Sequence, residues 1–166
     1  MKIIMKIDRI IARIEEWLLI ATVLFMVVLA FLQVLLRNIF DQSFMWGDPL
    51  LRHLVLWVGF IGASLATRTE KHITIDVLGR ALKGKKKKVV QLLTDLFAMV
   101  ISAILSHAAW QFVMMEREFE SMAFGSVPAW YFQIIIPIGF ALMALRYLFS
   151  FLEKARTLFG NEGEAL

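Results

Sequence analysis

Four stretches of this chain, 17–36, 50–67, 89–112 and 127–152, are apolar almost without interruption. At about 1.5 Å of rise per residue, each is long enough to cross a hydrocarbon layer of roughly 30 Å as a helix. Backbone N–H and C=O groups find no water there and must bond within the segment, which a helix achieves. The expected fold is an all-α integral membrane protein with four transmembrane helices, preceded by an N-terminal amphipathic interfacial helix. A mean hydropathy of +0.72 agrees. With 60% hydrophobic and only 19% charged residues, the chain has too little polar surface to coat a soluble domain of 166 residues. No repeat, low-complexity linker or second domain is evident, and residues 1–166 read as a single membrane domain.

The 18 Lys and Arg residues fix the expected orientation. Lys2, Lys6, Arg9 and Arg13 precede the first stretch. Arg68, Lys71, Arg80, Lys83 and Lys85 to Lys88 lie in the basic segment 68–88 between the second and third. Arg146, Lys154 and Arg156 close the chain on the same side, leaving only Arg37, Arg52 and Arg117 opposite. The positive-inside rule then places both termini and the 68–88 segment in the cytoplasm. A net charge of +4 is compatible with nucleic acid, but its concentration at span ends points to anionic lipids instead, and no nucleic-acid partner is expected.

Residues 1–16 repeat isoleucine at helical spacing (Ile3, Ile4, Ile7, Ile10, Ile11, Ile14), with Lys2, Lys6, Arg9 and Arg13 on another face. They are expected as an amphipathic arm on the inner leaflet. The first apolar stretch exceeds a signal-peptide core and no small-residue cleavage pattern follows it, so it reads as a retained anchor. In the basic segment, His72 to Lys88 suggests a short interfacial helix ending in a solvated lysine turn. Cysteine is absent, which removes disulfides and thiolate chemistry.

Polar residues within the spans are few, and in hydrocarbon such residues mark function or packing. Arg52 and His53 lie near the outer end of the second span, His107 near the outer end of the third, and Asp95 near the inner end of the third, where a lysine of the preceding run could pair with it. Two histidines at one depth could ligate a haem, though a hydrogen-bonded packing role suits each as well. Gly59, Gly62, Ala63 and Ala66 form a small-residue face on the second span, suited to close helix approach. Trp17, Trp46, Trp110 and Trp130 sit at span ends as an aromatic belt, whereas Trp57 lies deep and needs an acceptor for its N–H. Pro137 is expected to kink the fourth span, with Gly139 easing the bend. There is no phosphate-cradling loop, paired nucleophile and base, or metal-ligand spacing, so no catalytic, cofactor or metal residues are assigned and the chain is not expected to be an enzyme.

The run Trp46-Gly47-Asp48-Pro49, with Arg52, Trp57, Phe60-Ile61-Gly62-Ala63, Ala66, Arg68, His72-Ile73 and Asp76, resembles the small (Q-type) membrane subunit of tripartite ATP-independent periplasmic (TRAP) transporters. Pro128, Trp130, Pro137, Gly139, Phe140 and Arg146 are similar to the same family's last span. The family usually carries two acidic residues after the tryptophan; here there is Asp48-Pro49. The resemblance implies a non-catalytic scaffold subunit of a sodium-coupled, binding-protein-dependent secondary transporter importing an organic acid, such as sialic acid or a dicarboxylate. Its partners would be a large multispan membrane subunit and a periplasmic substrate-binding protein. The partner-facing residues would be Trp46, Asp48, Arg52, Trp57, Gly59, Gly62, Ala63, Arg68, His72, Asp76, Pro128, Trp130 and Pro137. Two other classes fit the residues less fully: a cytochrome b-like subunit using His53 and His107, and a stand-alone channel or exporter, which would need a polar lining along its spans.

The cysteine-free chain makes orientation simple to test. Single cysteines at Asp41 or Glu120 are expected to react with an impermeant maleimide from outside the membrane, and one at Lys86 only after permeabilisation. The reverse pattern would overturn the assignment.

Overall fold

A computed structural model describes the backbone of residues 2–41, 44–81 and 85–159, and the side chains of 8–41, 44–68 and 89–156. The chain forms α1 (Lys2–Phe40), α2 (Gly47–Ala81), α3 (Lys85–Glu118), a hairpin of β1 (Met122–Phe124) and β2 (Val127–Pro128), a short α4 (Trp130–Gln133) and α5 (Ile135–Phe159). Four apolar helical segments are long enough to cross a membrane: Asp8–Phe40, Gly47–Arg68, Val89–Glu118 and Trp130–Arg156.

Several boundaries differ from those expected. The arm and first span are one unbroken helix, because no glycine or proline interrupts residues 2–40. It stops at Asp41, whose φ of 52° is left-handed. The basic segment is largely helical: α2 runs on to Ala81, and Lys85 to Lys88 open α3 instead of forming a turn. The third crossing extends to Glu118, and its expected outer loop contains an antiparallel hairpin. Gly125, at φ +55°, opens the two-residue turn of that hairpin, a conformation other residues adopt at a cost.

The fourth crossing is interrupted at Ile134, in the turn ahead of the proline expected to kink it. Proline has no N–H to continue a helix and its ring crowds the preceding turn, so α4 ends at Gln133. Pro137 then sits in the first turn of α5, where its missing donor costs nothing. The break leaves the Phe132 carbonyl without its usual helical donor, and Trp57 Nε1 on α2 donates to it at 2.9 Å. This is the acceptor that a deep tryptophan requires.

Helix neighbours follow the order α1–α2–α5–α3, with α5 against both α2 and α3. α1 touches the others along one narrow stripe, in which Asp8, Ala12, Glu15, Leu19, Thr22, Met26, Leu29, Gln33 and Leu36 are buried or half-buried. Steps of three and four residues give the 3.5 period of a left-handed helix pair. α3 shows the same spacing at Asp95, Met99, Ser102, Ser106, Ala109 and Val113. Ser106 Oγ donates across that seam to the Pro137 carbonyl at 3.0 Å. Large apolar side chains point outward instead, as in Trp17, Leu24, Val27, Phe31 and Phe97. Small and polar residues inside with bulky apolar ones outside is the arrangement expected where the solvent is lipid.

Close approach occurs where α2 meets α5. A Cβ built on Gly139 would lie 2.7 Å from Phe60 Cδ1 and 3.1 Å from Phe60 Cβ, whereas one on Gly59 or Gly62 meets nothing within 4 Å. We expect Gly139→Val to destabilise the purified protein by about 1–3 kcal/mol in a detergent unfolding titration, as overpacking does. Gly62→Ala should leave the midpoint unchanged. Equal losses in the two variants would contradict this packing.

Candidate functional site

The densest set of charged groups in the described structure joins three helices at the end where α1 begins and α5 finishes. Arg146 on α5 is only 6% exposed, Glu15 on α1 is 8% exposed and Ser64 on α2 is 1% exposed. The guanidinium donates from one Nη to Glu15 Oε2 and from the other to both the Ser64 carbonyl and its hydroxyl, the last at 2.9 Å. The Ser64 hydroxyl donates in turn to Glu15 Oε1 at 2.8 Å. Arg146 Nε lies 3.4 Å from Asp8 Oδ1. Arg68 lies 3.3 Å from Asp8 Oδ2 and 3.9 Å from Glu16 Oε1. A planar guanidinium with five donors can serve three helices at once, which an ammonium cannot do in fixed geometry.

A second pair ties α3 to the same end of α5, with Lys154 Nζ donating to Asp95 Oδ2 at 2.6 Å. The lysine run at the start of α3, expected to supply a partner for Asp95, has its side chains outside the described residues. Both groupings occupy span ends, where part of each ion's hydration is already lost and pairing within the protein offsets the remainder.

The residues expected to face a partner fall into separate groups. Arg52, Gly59, Ala63 and Ala66, together with Val55, line an exposed face of α2, and Gly62 borders it. That face turns away from the side carrying Ile61 and Ser64, which packs within the chain. Trp57 and Arg68 do not belong to it, being committed to Phe132 and to the acids of α1. Trp46, stacked on Phe44, and Asp48, in the first turn of α2, are exposed near the start of the helix. Asp48 there complements the positive end of the helix dipole. Pro128 pairs with Met122 in the hairpin, and Trp130 stacks with Tyr131 and has the Arg117 guanidinium 5.5 Å from its ring centroid. Pro137 is buried against α3. His72 and Asp76 fall in the helical part of α2, but their side chains lie outside the described residues.

His53 and His107 have separate partners. His53 Nδ1 donates to the Pro49 carbonyl at 2.8 Å and its ring packs on Phe132. His107 Nε2 accepts from Gln111 at 3.2 Å and borders an open groove between α3 and α5 lined also by Ser106, Trp110 and Pro137. Each imidazole thus has the local hydrogen bond of a packing residue.

The joint at Arg146 was not evident from sequence. Arg146 read as an inner-side cation and as part of the resemblance in the last span, and Asp8, Glu15 and Glu16 were assigned no role. The available signal was register: Asp8 and Glu15 are seven residues apart, in line with Ala12 and Leu19, so the buried stripe of α1 carries two carboxylates.

Fold and site together define a polytopic helical membrane protein whose buried polar groups serve to join its own helices. The chain belongs to the family of DctQ components of tripartite ATP-independent periplasmic transporters, whose model matches residues 26–157. It is 26% identical over 138 residues to the sialic acid TRAP transporter permease protein SiaT of Haemophilus influenzae, covering 82% of this chain and 22% of that protein. To the C4-dicarboxylate TRAP transporter small permease protein DctQ of Pseudomonas aeruginosa it is 25% identical, covering 75% of this chain and 62% of the relative. To the ectoine TRAP transporter small permease protein TeaB of Halomonas elongata the identity is 23%, covering 89% and 77%. The chain therefore spans about a fifth of the first of these relatives and under two thirds of the second.

Removing Arg146 leaves buried carboxylate without its partner. Arg146→Met should lower unfolding stability by about 3–5 kcal/mol, as broken buried ion pairs do. Arg146→Met combined with Glu15→Leu and Asp8→Asn should recover part of that loss in the same detergent titration. An unchanged Arg146→Met midpoint would contradict a buried joint.

Proposed function

We propose that this chain is the small, non-transporting membrane subunit of a TRAP transporter. It would assemble with a large multispan permease that moves the solute and receives it from a periplasmic substrate-binding protein. The observation that carries this reading is the open face of α2, where Arg52, Val55, Gly59, Ala63 and Ala66 are exposed although the helix is apolar enough to span a membrane. Small residues let a second helix backbone come close, so this face suits a protein partner better than loosely packed lipid. Several polar groups buried in the spans are paired across helix seams, as in Ser64 with Glu15 and Ser106 with Pro137, which supports a scaffold over a conducting path.

On this reading the chain lies in a bacterial inner membrane with both termini in the cytoplasm and takes no part in catalysis. Sodium-coupled import of an organic acid is the proposed activity of the whole assembly. The relatives named for sialic acid, C4-dicarboxylate and ectoine match this chain at 26%, 25% and 23% identity. So narrow a spread favours solute choice residing in the other subunits.

Arg52→Glu and Gly62→Leu are expected to reduce recovery of the large permease with the affinity-tagged chain severalfold while leaving the chain itself in the membrane. Full co-purification of both variants would remove the open α2 face as the interface. Recovery of no polytopic partner with the unaltered chain would overturn the scaffold reading.

A further inference from the structure

At the beginning of α1, Asp8 and Glu15 lie on the packed side with Ala12, while Arg9 and Arg13 lie on the exposed side, bordered by Glu16. The described acids of this helix, Asp8, Glu15 and Glu16, are engaged by Arg68 and Arg146 of other helices. Its own arginines, Arg9 and Arg13, are exposed and have no ion-pair or hydrogen-bond partner among the described residues. They stand one helical turn apart, so both guanidinium groups can reach a single anion. Together with Ile10, Ile14, Trp17 and Leu18 they line an open recess of about 790 Å³, on the side of α1 away from Ala12 and Glu15.

The order of chemistry along this recess is charge, then amphipathic ring, then hydrocarbon. Arg9 and Arg13 come first; Trp17, 68% exposed, lies one turn further in, and Leu18 and Ile14 supply the apolar wall. A tryptophan at that position marks the headgroup level of a bilayer. An anionic phospholipid has the same order, a phosphodiester above a glycerol ester and acyl chains. A phosphate in the arginine fork would receive bidentate, charge-assisted hydrogen bonds. An acidic segment of another protein would satisfy the guanidinium groups but not the exposed isoleucines and leucine below them.

We infer that Arg9, Arg13 and Trp17 form a binding site for an anionic phospholipid, the phosphate held by the two arginines and one acyl chain lying over Ile14 and Leu18. The site is distinct from the open α2 face and does not depend on which permease the chain joins. It also gives the two ends of the α1 charge pattern different tasks: the acids fasten the helix to the protein, and the arginines fasten it to the leaflet.

The test uses the full chain, with the subunits that co-purify, in nanodiscs of phosphatidylcholine containing a minor fraction of phosphatidylglycerol. In a variant retaining Trp17 as the sole tryptophan, brominated phosphatidylglycerol should quench its fluorescence as though locally enriched several-fold, since each arginine at an anionic surface is worth about a factor of five. R9Q/R13Q should return quenching to the bulk lipid ratio, and R9K/R13K should keep much of the enrichment. Quenching that simply follows the bulk ratio in the unaltered pair would overturn the proposal. So would protection of Trp17 from both lipids, which would place a protein on this surface. Native mass spectrometry of the chain with all its tryptophans provides an independent readout, in which R9Q/R13Q should lose a retained phosphatidylglycerol that the parent keeps; equal retention would count against the site.

Discussion

Arg146 is the group on which the arrangement of the helices depends. A single buried guanidinium accepts neither deprotonation nor an apolar environment, so it has to be surrounded by acceptors, and these come from two other helices. Glu15 brings α1 and Ser64 brings α2 to the same point on α5. Lys154 and Asp95 repeat the device between α5 and α3 at the same end. In a bilayer, where burial of apolar surface against apolar surface yields little, such polar joints define helix register more sharply than the apolar contacts do.

The consequence is a molecule with joints but without a closed core. Buried residues are more frequent in the fourth crossing than in the first, and α5 packs against both α2 and α3, so α5 is central and α1 peripheral. A soluble protein could not leave Phe31, Val34 and Phe97 as exposed as they are here. In lipid these side chains are already solvated, and the chain is free to present an open face on α2 that its own helices do not use. Under the proposed scaffold role, that open face is the surface kept available for a partner.

The four crossings were legible because hydrocarbon thickness imposes a length that few other constraints share. Their ends were less so, because an α-helix does not stop where the hydrocarbon does: α1 continues into its basic arm and α2 beyond Arg68 without any change in backbone geometry. Small residues announced close packing but not its address. Gly59 and Gly62 meet open space, while Gly139, read as easing a bend, is the position where Phe60 presses on the backbone of α5. Trp57 declared a need for an acceptor, but that acceptor is the Phe132 carbonyl, in a distant part of the chain beside the interruption between α4 and α5. The Arg146 joint was least legible, being assembled from residues that each look like ordinary span-end charges until three helices converge.

The most direct test of the open helix order is a distance between α1 and α3. Spin labels at Val27 and Ile104, introduced as the only two cysteines and measured by pulsed dipolar spectroscopy in nanodiscs, sample opposite ends of the row α1–α2–α5–α3. Neighbouring helices pack with axes about 8–10 Å apart, so an open row places α1 and α3 at least about 18 Å apart. A narrow distribution at or beyond that separation is the expected result. A backbone separation near 10 Å would mean that α1 and α3 close a compact bundle, and would contradict the architecture described for this chain.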